Sequence, residues 1–162
     1  MTIRLYLPDD LAALHRINEE NVPAVNSVSD TELGAVIAAS ACTLVIEQKA
    51  EVAGFVVCLF EGAEYGSGNY AWLSERFAAF AYVDRVAVDA RHRSLGLGKR
   101  LYTALEAEIR DQRPMIGLEV NEQPPNPGSM RFHHAIGFED IGKRTYDGGT
   151  KTVVFMRKHL NN

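Results

Sequence analysis

The stretch Val86-Ala87-Val88-Asp89-Ala90-Arg91-His92-Arg93-Ser94-Leu95-Gly96-Leu97-Gly98-Lys99-Arg100-Leu101 gathers residue types that hold anions. Its first residues read as a strand, while Leu101, Leu105 and Ile109 recur at helical spacing. Gly96 and Gly98 therefore fall in a turn that leads into a helix. The first N–H groups of a helix lack internal partners, and the helix dipole places partial positive charge there. Glycine lets the backbone bend sharply and approach a ligand closely. Together these features make an anion cradle suited to a pyrophosphate. Local charge agrees: Arg85, Arg91, Arg93, Lys99 and Arg100 face only Asp89, in a chain whose 17 Lys and Arg and 21 Asp and Glu sum to −4. A dinucleotide-binding unit would want a third small residue where Leu101 stands, together with further β-α units. Glu119 is the one feature that suits it, lying at a fitting distance for a ribose contact. The Gly-Lys-Ser/Thr of a P-loop is absent.

The elements around this turn follow from pattern. A short strand spans residues 3–7 and ends at Pro8. A first helix carries Leu11, Leu14 and Ile17 on one face to about Glu20, and Asn21-Val22-Pro23 breaks it. A second helix opens at Ser29 with Glu32 three residues on, a capping box. Strands follow at Thr43–Glu47 and Val52–Phe60, the latter apolar almost throughout, as a strand covered on both faces requires. The connection Glu61–Ala81 is long and aromatic, and Trp72–Phe80 is the part expected to be helical. Then come a strand at Tyr82–Val88, the basic turn, a helix at Lys99–Gln112 and a strand at Met115–Val120. Asn126 caps a short helix with Pro127 at its first position. Two strands, near Phe138–Tyr146 and Lys151–Arg157, turn at Asp147-Gly148-Gly149. The order β α α β β β α β α β β implies an α/β chain with a mixed sheet and helices on both faces.

Length and composition set bounds. One domain suits 162 residues, and 46% hydrophobic with 23% charged residues is ordinary globular composition. No apolar run reaches the length of a membrane span, and the mild acidity argues against a nucleic-acid binder. The acids near the start disfavour a secretory signal. Cys42 and Cys58 read as buried free thiols, too few for a zinc site, which fits a cytoplasmic setting with no metal.

Arg93-x-x-Gly96-x-Gly98, after the strand ending Val86-Ala87-Val88, resembles the coenzyme A pyrophosphate motif of the GCN5-related N-acetyltransferases (GNAT). A second segment, Asn126-x-x-Ser129-x-x-Phe132-His133 followed by Gly137-Phe138, resembles that family's Asn-x-x-Ala-x-x-Phe-Tyr…Gly-Phe. The resemblance covers nearly the whole chain. It implies a twisted, mostly antiparallel sheet of about seven strands with a splayed central pair, flanked by about four helices. It also implies acetyl-CoA as cosubstrate. Backbone groups at Val86, Ala87 and Val88 would pair with the pantetheine arm as an added strand. Backbone N–H groups of Ser94, Leu95, Gly96, Leu97, Gly98 and Lys99 would hold the pyrophosphate, with Arg93 shaping that loop or reaching a phosphate. Asn126, Ser129 and Phe132 would line the pantetheine channel. Where many relatives have a tyrosine that protonates the departing sulfur, this chain has His133.

The resemblance makes acetyl transfer to a primary amine the expected reaction, with a nonenzymatic coenzyme A or acetyl-CoA sensor as the alternative. Transfer needs a neutral amine, a polarised thioester and a base near both. Asp84 and Glu119, on the two central strands, are the candidate bases, although Asp84 precedes Arg85 and strand neighbours point to opposite faces. His133 is either the acid or a helix-surface or packing residue beside His134. The acceptor, a small-molecule or peptide amine, is expected against Asn21, against Tyr65, Asn69, Tyr70 and Trp72 of the aromatic loop, and against Asn121. Those aromatics could equally cover a sheet edge or form a homodimer contact.

Overall fold

The computed structural model describes residues 1–160. Seven strands run through it: β1 (Thr2–Leu5), β2 (Cys42–Gln48), β3 (Glu51–Phe60), β4 (Ala81–Val88), β5 (Met115–Gln123), β6 (Glu139–Tyr146) and β7 (Lys151–His159). They form one sheet in the order β1-β2-β3-β4-β5-β7-β6. Every pairing is antiparallel except β4 with β5, which is parallel. That parallel pair is short. Only Ala81 with Ile116 and Tyr82 with Gly117 are in register, and beyond them the two strands splay apart.

Five helices cover the sheet: α1 (Leu11–Glu20), α2 (Asp30–Ala39), α3 (Gly68–Ser74), α4 (Leu97–Ile109) and α5 (Pro127–Ala135). α1, α2 and α3 pack Leu14, Ile17, Leu33, Val36 and Leu73 against Phe55, Val57 and Phe155 on one face. On the other face α4 buries Leu97, Leu101, Leu105 and Ile109 over Leu44, Val56, Ile116 and Met156. The capping box of α2 forms as read, with Ser29 Oγ accepting from Glu32 N at 3.0 Å and Glu32 Oε1 accepting from Ser29 N at 2.9 Å.

Three local readings change. The helix expected over Trp72–Phe80 lies earlier, because Ser67 Oγ accepts from the N–H groups of Asn69 and Tyr70 and starts α3 at Gly68. That helix brings the count to five. α4 begins at Leu97 rather than Lys99, because Gly96 at φ +73° forms its N-cap. The opening strand stops at Leu5, and Leu7 is already the cap of a 3₁₀ turn at Pro8–Asp10. No helix among the described residues is long and apolar enough to cross a membrane.

Candidate active site

Where β4 and β5 part, a cleft of about 960 Å³ opens, bounded by the ends of both strands, the α1–α2 connection, the loop into α3 and one side of α5. The α1–α2 connection is fastened across this opening. Asn121 on β5 donates to Pro23 O at 3.1 Å, and Arg85 on β4 donates to Asn26 Oδ1 at 3.0 Å.

The two central strands bring both candidate carboxyl groups into the cleft wall, in different states. β3 pairs Val57 with Arg85 and Cys58 with Val83, which leaves Asp84 as the extra residue of a β-bulge. A bulge breaks the strict alternation of a strand and re-aims its side chains. Asp84 and Arg85, expected on opposite faces, therefore meet: Arg85 Nε donates to Asp84 Oδ2 at 2.7 Å, and both side chains are buried. Tyr65 donates its hydroxyl to the other Asp84 oxygen. Arg85 is held in turn by Asn18 Oδ1 at 2.8 Å. Asp84 is thus the anchored anion of a buried network.

Glu119 has no arginine on it. It lies half-buried on β5 and accepts a hydrogen bond from Tyr82 Oη at 2.7 Å. Burial pushes its carboxyl up to about 8; the Tyr82 bond opposes the rise and the neighbouring Asp84 charge adds to it. A carboxyl tuned to that range can take a proton at mildly alkaline pH.

His133 is buried on α5 rather than lying on the helix surface. Its Nδ1 lies 2.8 Å from Ser129 O, a carbonyl that can only accept, so Nδ1 carries the proton. Nε2 is then an acceptor, and the Tyr102 hydroxyl of α4 donates to it at 2.7 Å. Burial lowers the pKa of His133, the bond to the Ser129 carbonyl opposes the shift, and the neighbouring His134 adds a smaller lowering, so the ring stays neutral. Both ring nitrogens are occupied, so the ring offers no free donor, and the one proton this pair could turn toward a ligand is the Tyr102 hydroxyl now resting on Nε2. That residue also lines the cleft, and its pKa is raised by burial. The sequence reading missed Tyr102 because at helical spacing it reads as one more core position of α4.

The basic turn is built as an open cradle. Ser94 and Gly96 both sit at positive φ, +69° and +73°. Gly96 supplies no side-chain cap for α4, and the space a side chain would enter there is empty. Gly98 lies against Phe132, whose ring carbon would be 3.4 Å from an added Cβ. Upstream, Asp89 accepts from Arg91 N at 2.8 Å and pairs with the side chains of Arg91 and Arg16 at 3.0 and 3.2 Å, tying the turn to α1. Arg93 donates to Asn21 Oδ1 at 3.1 Å, and Asn21 donates to Val88 O at 3.1 Å. Asn21 therefore fastens the basic turn to the end of β4 while lining the cleft.

Val86, Asn126, Ser129 and His133 also line the cleft, as do Tyr65, Asn69 and Asn121. Asn126 caps α5 through Ser129 N at 3.3 Å. Two residues of the aromatic loop stand elsewhere. Tyr70 is buried with its hydroxyl on Phe60 O at 2.6 Å, and Trp72 stacks on Phe155 at 3.9 Å beneath Gly142. Both turn inward because α3, capped by Ser67, directs this face onto the sheet. Among the described residues no group of three or more His, Cys, Asp or Glu side chains assembles as a metal site.

A sequence profile described as the acetyltransferase (GNAT) family matches residues 11–138. The chain belongs to that family. Solved structures share its fold over nearly the whole length. The ribosomal-protein-S18-alanine N-acetyltransferase of Escherichia coli superimposes with a TM-score of 0.76 at 17% identity, covering 99% of this chain and 94% of the other. yncA of Salmonella typhimurium, solved with its cofactor acetyl-CoA, gives 0.73 at 22% identity, over 100% and 95%. An aminoglycoside 6'-N-acetyltransferase complexed with coenzyme A gives 0.76 at 15%, over 100% and 98%. Among curated proteins, none matches the chain in sequence. The splayed pair, the cradle at α4 and the cleft between them are thus features of a GNAT family member.

Proposed function

We propose that this family member moves an acetyl group from acetyl-CoA to a primary amine by direct transfer. The observation that carries the reading is Glu119, a carboxyl tuned to about 8 in the cleft that opens between the splayed strands. The cradle fits a pyrophosphate: positive-φ backbone at Ser94 and Gly96, an uncapped helix start and empty space before it. Val86, on the free side of β4, offers backbone groups to a pantetheine arm, and Asn126 and Phe132 stand along its path. The thioester supplies an activated acetyl group.

The chain's own residues do the rest. Glu119, directly or through water, takes the proton from the attacking amine. The nitrogen–carbon bond forms, the carbon–sulfur bond breaks, and the electron pair leaves with sulfur. Tyr102 turns its single hydroxyl proton from His133 Nε2 to the departing thiolate and donates a hydrogen bond there. A tyrosine suits this better than a histidine would, because it keeps its proton at the pH where amines become neutral.

Release of the coenzyme A thiol, followed over a panel of amines, tests the proposal. Acetyl-CoA-dependent release that needs both an amine and Glu119 is the expected result. Tight acetyl-CoA binding with no release for any amine would leave a nonenzymatic sensor instead.

A further inference from the structure

Among the described residues, one cation in the cleft has no anion. Arg144, on β6, lines the opening and is half-buried. Its guanidinium lies over the Tyr146 ring, 4.4 Å from the centroid, and Nη1 donates to Asn69 Oδ1 at 2.9 Å. Its other side rests on the start of α3 so closely that a methyl group on Gly68 would lie 2.6 Å from Nη2. The side chain is therefore held in place by ring, glycine and amide. Yet no carboxylate among the described residues forms an ion pair with it, although Arg85, Arg91, Arg113 and Arg157 each have one. An arginine presents five N–H donors in a fixed fork that matches a carboxylate. Here most of that fork is unused.

The position of Asn69 supplies the spacing. Its side-chain carbonyl takes the Arg144 hydrogen bond, and its amide lies close enough to Glu119 to favour the charged carboxylate. The proposed base and the unpaired cation thus stand in the wall of one cleft, on either side of the Asn69 amide. A molecule spanning the same two groups must carry an amine at one end and an anion a few bonds away. The other charged groups toward this end are Asp84, already held by Arg85, and Lys151, which sits 3.5 Å from Asp147.

We infer that the acceptor is a small amino acid, whose amine lies at Glu119 and whose carboxylate is bound by Arg144. The inference rests on the acetyltransferase reading above and narrows its acceptor. A peptide N-terminus would not satisfy it, because the carboxyl carbon beside its amine is already an amide.

The test compares three acceptors for each of several side chains: the free amino acid, its carboxamide and a dipeptide beginning with the same residue. Thiol release should give a kcat/KM at least about 30-fold higher for the free acid, the range expected of a charge-assisted bond. Arg144→Gln should bring that ratio near unity, chiefly through the acceptor KM, while the KM for acetyl-CoA stays unchanged. Arg144→Lys, which keeps the charge and loses the fork, should fall between. Equal rates for acid and carboxamide, or a ratio that survives Arg144→Gln, would overturn the inference. If no amine is acetylated, the parent reading fails, and calorimetry with free amino acids in the presence of coenzyme A decides this one separately. Binding that disappears in Arg144→Gln would uphold it, and no binding would sink it.

Discussion

Two carboxyl groups in one cleft have different chemistry because of what touches them. Asp84 meets a guanidinium and a phenol, whereas Glu119 meets a phenol and no guanidinium. Glu119 should act as a base only once deprotonated, so activity should rise with pH through a limb centred near 8. Glu119→Gln should remove that limb and lower kcat about 10²-fold, as a pH–rate profile of both proteins would show. Stability should carry the opposite sign. Between the ordinary carboxyl pKa of 4.5 and about 8 the folded chain keeps a proton that the unfolded chain has lost, so stability falls as pH rises across this window. The variant, which has nothing to titrate, should gain thermal stability relative to the parent at pH 8.5 and not at pH 4. Tyr102→Phe makes a separate prediction: kcat drops about 10-fold or more while acetyl-CoA affinity holds, because the hydroxyl and not the ring is lost. The sequence made the placement of Glu119 and His133 in the cleft legible, through strand and motif. It hid Tyr102, whose proposed role turns on a hydrogen bond to His133, 31 positions away.

At the scale of elements, the bulge in β4 and the turn before α4 decide the site. The bulge buries the Asp84–Arg85 pair, with side-chain exposures of 3% and 2%. Removing one member leaves an uncompensated charge, so Arg85→Ala should destabilise the fold by about 3–5 kcal/mol, measured by denaturant unfolding. Arg85→Lys should rescue little, since a lysine cannot reach Asp84, Asn18 and Asn26 at once. Gly96 sits at φ +73°, a conformation that a β-branched residue adopts only under strain. Gly96→Val should raise the acetyl-CoA Kd at least 10-fold by calorimetry while the core packing of α4 survives. Capping and periodicity made α2, α4 and α5 readable because those signals are local. The position of α3 depended on one serine side chain, and the bulge on a register shift with β3, which no local pattern reports.

Across the whole molecule, charge is less lopsided than composition implies. Of the five basic residues around the turn, Arg85 and Arg91 already face Asp84 and Asp89. Arg93, Lys99 and Arg100 remain to attract an anionic ligand. Association with acetyl-CoA should therefore slow with ionic strength, and neutralising Lys99 and Arg100 together should flatten that dependence in stopped-flow binding. The sheet itself is two plates, β1 to β4 and β5 to β7, riveted at one end by two residue pairs. A ligand seated along β4 would act as a second rivet. Amide hydrogens on both sides of the gap should then exchange together, quickly in the empty protein and slowly in the loaded one. Parting of the plates would thus set how fast a spent coenzyme A can leave.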